Sequence, residues 1–196
     1  EGEEARITTL VADINARPDH RLALSIHLGG MLVLAGNDAG LEAAERALRD
    51  DPDRTPLRLP NHAAFHTDMM QDVAQMGRDA LAATLFSDPH TALIDGRGAV
   101  WHPRSTDLAA LREYTLGHQI TQTYDFTAAI QSAARNFAPE RFIVTGPGTT
   151  LGSAVAQALI AIRWQGIDSK AAFLARQSSS PLIFSMGRED QRPMIV

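Results

Sequence analysis

The sequence predicts an α/β fold in two parts, a small α+β unit over residues 1–60 and a larger α/β part over 61–196. Three observations predict it. The first sixty residues read in the order helix, strand, strand, helix, strand. From residue 67 onward, helical periods alternate with short apolar runs, as in a parallel sheet covered by helices. The chain of 196 residues is 44% hydrophobic, enough for one medium core or two small ones.

The first helix is expected over 3–16, where Ile7, Leu10, Val11 and Ile14 recur at helical spacing and glutamates occupy the first turn. Arg17-Pro18-Asp19 ends it. Residues 22–28 alternate apolar and polar as a strand, Gly29-Gly30 is a hairpin turn signal, and 31–35 returns as a buried strand. Gly36-Asn37-Asp38 supplies an N-cap for a helix over 39–49. A loop at 50–53 then leads to a third strand over 55–59. A ferredoxin-like unit runs β-α-β-β-α-β. The segment therefore reads as a ferredoxin-like subdomain with its first strand missing, or as a three-stranded α+β module complete as it stands.

In the larger part, 60–65 reads as a loop and 67–86 as one long helix, with Met69, Met70, Val73, Met76, Leu81 and Leu85 on its apolar side. A strand over 91–94 runs into the turn Asp95-Gly96-Arg97-Gly98. Helices follow over 107–117 and 126–137, with 121–125 irregular between them. A buried strand over 141–145 is broken by Gly146-Pro147-Gly148, and an alanine-rich helix runs over 149–162. Residues 182–185 read as an edge strand. Two strands, 91–94 and 141–145, do not make a stable α/β sheet, so further strands are expected from elsewhere.

Composition narrows the function classes. The net charge of −5 and pI near 5.8 argue against a nucleic-acid partner. No apolar run reaches the roughly 20 residues of a membrane span, and from the acidic start no signal peptide is expected. The expectation is a soluble cytoplasmic protein that contacts no membrane. The chain has no cysteine, which excludes disulfides, thiolate metal sites and a cysteine nucleophile.

His66 lies at a loop-to-helix junction in Asn61-His62-Ala63-Ala64-Phe65-His66-Thr67-Asp68. A histidine there is a candidate base, because its pKa lies near working pH. The competing reading is a surface or structural histidine. His62 and His66 are four apart, but a zincin helix needs a glutamate between them, and Ala63, Ala64 and Phe65 stand there. No metal site is expected. Gly146-Pro147-Gly148 reads as a tight turn, without the spacing of a dinucleotide or P-loop fingerprint.

The stretch Leu59-Pro60 … Ala64-Phe65-His66-Thr67 … Met69-Met70 resembles the histidine motif of malonyl-CoA:acyl-carrier-protein transacylases and polyketide synthase acyltransferase domains. Residues 23–36 resemble the hairpin of their small subdomain. Gly117-His118-Gln119-Ile120-Thr121 followed by Phe126 resembles their Gln-Leu-Thr-x-Pro-Val-x-Trp segment. Val144-Thr145-Gly146-Pro147-Gly148 with Leu151 resembles Glu-x-Gly-Pro-Gly-x-x-Leu. The resemblance implies the C-terminal part of an α/β-hydrolase-like acyltransferase domain with a ferredoxin-like small subdomain. It implies transfer of malonyl from malonyl-CoA to acyl carrier protein, in fatty-acid or polyketide synthesis, with malonyl-CoA as substrate and no cofactor.

By the same resemblance His66 is the base, oriented by a main-chain carbonyl at Gln119 rather than by an aspartate. Phe65 implies malonyl over a branched acyl group, since a bulky ring removes space beside the acyl α-carbon; its plainer reading is core packing. The chain departs from the family pattern at several places: Ala63 for a histidine, Asp95 for asparagine, Thr123-Tyr124 for Pro-Val, Phe126 for tryptophan and Val144 for glutamate.

The family serine sits in Gly-His-Ser-x-Gly, and no Gly-x-Ser-x-Gly occurs in this sequence. Gly152-Ser153-Ala154 falls inside a predicted helix and lacks the second glycine. The expectation is that the nucleophile, the oxyanion donors and the arginine for the malonyl carboxylate lie in an N-terminal part that these residues do not include. Two other readings stand beside the transferase: an acyl-thioester hydrolase of the same fold, and a non-catalytic carrier-protein-binding module.

Overall fold

A computed structural model describes residues 2–49, 56–60 and 62–195. It has mixed helices and sheets, as the α/β expectation required, and its residues cluster into two compact units interleaved along the chain. The first comprises residues 1–26, 32–88 and 106–124, and the second 27–31, 89–105 and 125–196.

In the first unit, helix α1 (Gly2–Asn15) precedes strands β1 (Leu22–Leu28) and β2 (Met31–Gly36) and helix α2 (Asp38–Arg49). All four follow the sequence periods closely. Ile14, Leu22, Ala43 and Ala44 are buried together, with Leu10, Val11, Leu34 and Leu41 packed around them. Small alanines on α2 let it approach α1 closely. Asn37 holds the entry to α2 by accepting from the Gly40 N–H at 2.9 Å.

The expected strand over 55–59 is not formed by its described residues. Residues 56–59 are coil with Leu57 exposed, while Thr55 and the loop at 50–53 lie outside the described residues. The third place in the sheet goes to β5 (Tyr124–Asp125), a segment expected to be irregular, and the order is β2-β1-β5.

The helix expected over 67–86 is shorter and broken. A 3-10 turn (Asp68–Met70) leads into α3 (Gln71–Ala80), and Leu81 is already extended. The reason is tertiary. The Arg112 guanidinium donates to the carbonyls of Arg78 and Leu81, both at 2.7 Å, taking acceptors that a continuing helix would use. The helix expected over 107–117 instead extends further in three pieces. These are α4 (Leu108–Glu113), a π turn (Tyr114–His118) and α5 (Gln119–Thr121). Asp107 caps the start, accepting from Ala109 and Ala110.

In the second unit, residues 93–94 do not join a parallel sheet. Strand β3 (Leu93–Ile94) pairs antiparallel with β4 (Val100–Trp101). Asp95 organises the turn between them. Its Oδ1 accepts the N–H groups of Arg97 and Ala99, and its Oδ2 accepts from Arg97 Nε and Nη2 and from Trp101 Nε1. Burial pushes this carboxyl up. The Arg97 hydrogen bonds, the two backbone donors and the arginine charge outweigh it, and the net direction is below the usual carboxylate range.

Helix α6 (Phe126–Phe137) starts on an Asp125 cap to the Ala128 N–H at 2.7 Å. Strand β6 (Phe142–Val144) precedes α7 (Leu151–Ala161), and β7 (Ile183–Ser185) pairs parallel with β6, Phe142 opposite Ile183. Helix α8 (Lys170–Ser179), capped by Ser169, was not expected from the sequence. Val144, Val155, Leu159, Ile167, Phe173, Leu182 and Ile183 form the core here. The hairpin tip belongs to this unit: the Gly29 N–H donates to Thr127 Oγ1 at 2.9 Å, and a Cβ at Gly29 would collide with the Ala154 carbonyl oxygen. Among the described residues β6 has no strand on its other edge, and Ile143 on one of its faces is 51% exposed. That is unusual for a parallel strand, which is ordinarily covered on both faces.

Candidate active site

His66 adopts a left-handed backbone, φ 59°, a region that disfavours side chains by roughly 1–2 kcal/mol. Its neighbours over-determine the conformation. The Thr67 hydroxyl, almost fully buried, donates to the Ala64 carbonyl at 2.6 Å. The Ser25 hydroxyl, 3% exposed, donates to the Phe65 carbonyl at 2.8 Å. The His66 N–H donates to the Ile120 carbonyl at 2.9 Å. Nδ1 of its ring lies 2.5 Å from the Gln119 carbonyl oxygen.

The two carbonyls that receive His66 are consecutive, and their availability follows from helix chemistry. Helix α5 ends at Thr121, and the Gln122 N–H bonds back to His118. The last carbonyls of any helix lack intrahelical donors. Those of Gln119 and Ile120 are satisfied by two donors of His66, far earlier in the chain. The preceding π turn suits this role, because such insertions reset helix register and recur at functional sites.

The Gln119 oxygen can only accept, so Nδ1 is the protonated nitrogen in this bond, and in the neutral form of the ring the lone pair is on Nε2. In that form the basic nitrogen is on the side away from the anchor. A backbone carbonyl does here what an aspartate does in a catalytic triad: it selects the tautomer and holds the ring. The bond is to the main-chain carbonyl of Gln119, and its side chain takes no part in it.

Two aromatic rings stand beside the imidazole. Tyr124 lies 5.2 Å away, centroid to centroid, tilted by 45°. Phe65 lies at 6.5 Å and 52°. Phe65 is 48% exposed, so core packing does not account for it. Strand β1 sets both flanks through adjacent residues. Ser25 holds the Phe65 carbonyl, and the Leu24 carbonyl accepts from the Thr123 hydroxyl at 2.8 Å. Sequence reasoning missed Ser25 and Tyr124. Ser25 is the one fully buried polar residue of β1, whose other polar residue, His27, is half-buried.

The other candidates fall elsewhere. His62 is exposed, and no group of three or more His, Asp or Glu among the described residues is placed to hold a metal ion. Ser153 lies on α7 with its hydroxyl bonded to the Thr150 carbonyl at 2.9 Å. Gly146-Pro147-Gly148 is the turn between β6 and α7, with positive φ at both glycines. No described helix is long and apolar enough to cross a membrane.

No family model matches the chain, and no curated protein matches it by sequence. Solved structures do match its fold. One is the acyl-carrier-protein S-malonyltransferase of Burkholderia pseudomallei 1710b, with a TM-score of 0.73 and 18% identity over 97% of this chain and 54% of that one. Another is the malonyl-CoA:acyl carrier protein transacylase of Xanthomonas oryzae pv. oryzae, at 0.71 and 17% over 97% and 53%. A third is the acyl transferase domain of ZmaA, at 0.62 and 16% over 93% and 37%. The chain spans about half the length of the first two. These likenesses show the fold alone, a mixed α/β fold shared with part of each of those solved structures.

Proposed function

We propose that these residues carry the base of a malonyl-transferring site, and that the protein moves malonyl from malonyl-CoA to the pantetheine thiol of an acyl carrier protein. The observation that carries this reading is the anchoring of His66 through Nδ1 and its own N–H to consecutive helix-end carbonyls. It is supported by a fold shared with solved malonyltransferases and an acyl transferase domain.

The chemistry follows from the free Nε2. A serine hydroxyl supplied by residues outside this sequence passes its proton to Nε2 as its oxygen attacks the thioester carbonyl. The C–S bond breaks, and the CoA sulfur takes the proton back from Nε2. The carrier-protein thiol then gives its proton to Nε2 and attacks the malonyl-serine ester. The C–O bond breaks, and the serine oxygen recovers the proton. Each half-reaction returns His66 to its starting tautomer, and the kinetics are ping-pong. Phe65, exposed beside the histidine, crowds the acyl α-carbon and favours malonyl over branched units.

The test is labelling of the full-length protein with radioactive malonyl-CoA, beside a His66→Ala variant. Protein-bound label that moves to carrier protein, and falls at least roughly a hundredfold in the variant, is expected. Label released to water instead indicates an acyl-thioester hydrolase. No label in the wild type overturns the enzymatic reading and leaves a carrier-protein-binding module.

A further inference from the structure

One hydrogen bond does not fix an imidazole. Carbonyl oxygens accept over a broad range of directions, so the ring can turn about its Cβ–Cγ bond through a range of angles while keeping the Nδ1 contact, and its Nε2 sweeps an arc. A second restraint is needed, and Tyr124 provides it. Its ring lies within the 4.5–7 Å spacing of attractive aromatic pairs, tilted 45° to the imidazole. Tyr124 is itself fixed: it lies on β5, in the sheet beside β1, and the preceding Thr123 is bonded to the Leu24 carbonyl. Where the resembling motif carries valine, this chain carries a ring in contact with its histidine.

We propose that Tyr124 is a positioning residue that holds the plane of the His66 imidazole, keeping Nδ1–H aimed at the Gln119 carbonyl that selects the tautomer, so that Nε2 points in one direction. The gain is orientational: a base displaced by about 1 Å loses roughly a hundredfold in rate. The ring performs this task, so phenylalanine should replace tyrosine and valine should not. The catalytic consequence rests on the malonyl-transfer reading, whereas the structural claim does not.

The experiment uses nitrogen-15 labelled protein and long-range proton–nitrogen spectra of His66. Wild type and Tyr124→Phe are expected to show a single Nδ1-protonated tautomer, with ring-current displacement of the imidazole protons. Tyr124→Val is expected to show both tautomers in exchange and to lose that displacement. Tyr124→Leu is the second variant, read the same way, with circular dichroism confirming the fold. In the full-length enzyme Tyr124→Val should lower kcat for malonyl transfer by roughly ten- to a hundredfold with KM little changed. Two tautomers in the wild type, or an unchanged signature in both aliphatic variants, overturn the proposal without recourse to activity. A locked tautomer lost in the variants, in a protein that transfers no malonyl, sustains it and removes the transferase reading instead.

Discussion

Replacing Asp95 with asparagine removes a charge while keeping the shape of the β3–β4 turn. The side chain of Asp95 is 2% exposed and accepts five hydrogen bonds. An asparagine oxygen at Oδ1 keeps the two backbone donors. Its amide then faces Arg97 Nε and Nη2 and Trp101 Nε1, donors against a donor, where contacts of 3.0, 2.6 and 3.2 Å stood. A charge-assisted bond contributes about 1.5–3 kcal/mol, and Arg97 is 43% exposed, so solvent screens its share. The expected loss is about 2–3 kcal/mol at neutral pH. Trp101 and Trp164 are the only tryptophans, and both lie in the second unit, so tryptophan fluorescence during urea unfolding reads that unit directly. The folded-state pKa of Asp95 lies below its unfolded value of about 3.9. Its stabilisation is therefore full above that value and fades as pH falls through the folded pKa, so the gap between wild type and variant should narrow below about pH 4. A variant as stable as wild type at pH 7, or a gap as wide at pH 3 as at pH 7, refutes the reasoning.

Two other substitutions probe separate parts of the frame. Ser25→Ala orphans the Phe65 carbonyl in a buried setting, and urea unfolding should record a loss of about 1–3 kcal/mol, with faster amide exchange at His66. Gly29→Ala places a methyl group against the Ala154 backbone at a residue with φ 55°; fluorescence-detected unfolding should show at least about 2 kcal/mol of destabilisation, and an equal or higher midpoint would refute the close packing of the hairpin tip on α7.

Elements with strong local periods were legible in the sequence. Helices α1, α2 and α6 and the β1–β2 hairpin lie within a few residues of their expected bounds, because caps and apolar spacing agree there. Failures came where distant residues decide. Nothing local to residues 67–86 announces that Arg112 will claim two carbonyls and stop α3 at Ala80. Strand β5 is two residues long and exists because β1 offers an edge. The 55–59 run has strand-like composition, yet residues 56–59 are coil in the structure. Helix α8 did carry a local signal, the Ser169 cap with Phe173 and Gln177 four and eight positions on, which went unread. At the site, His66 and Gln119 were reached through a resemblance, and their bond spans 53 positions. Tyr124 stood inside the resembling segment only as a departure from its valine, and Ser25 had no motif to mark it.

Strand β1 carries two consecutive residues, Leu24 and Ser25, that grip opposite ends of the sequence around the histidine, at 123 and at 65. The setting of His66 is thus the property of three segments rather than of its own loop. Anyone grafting this loop onto a related scaffold would transplant an imidazole without its jig. A working cassette would have to carry residues 24–25 and 119–124 along with 64–67, and chimeras cut between them should fold yet misalign the base.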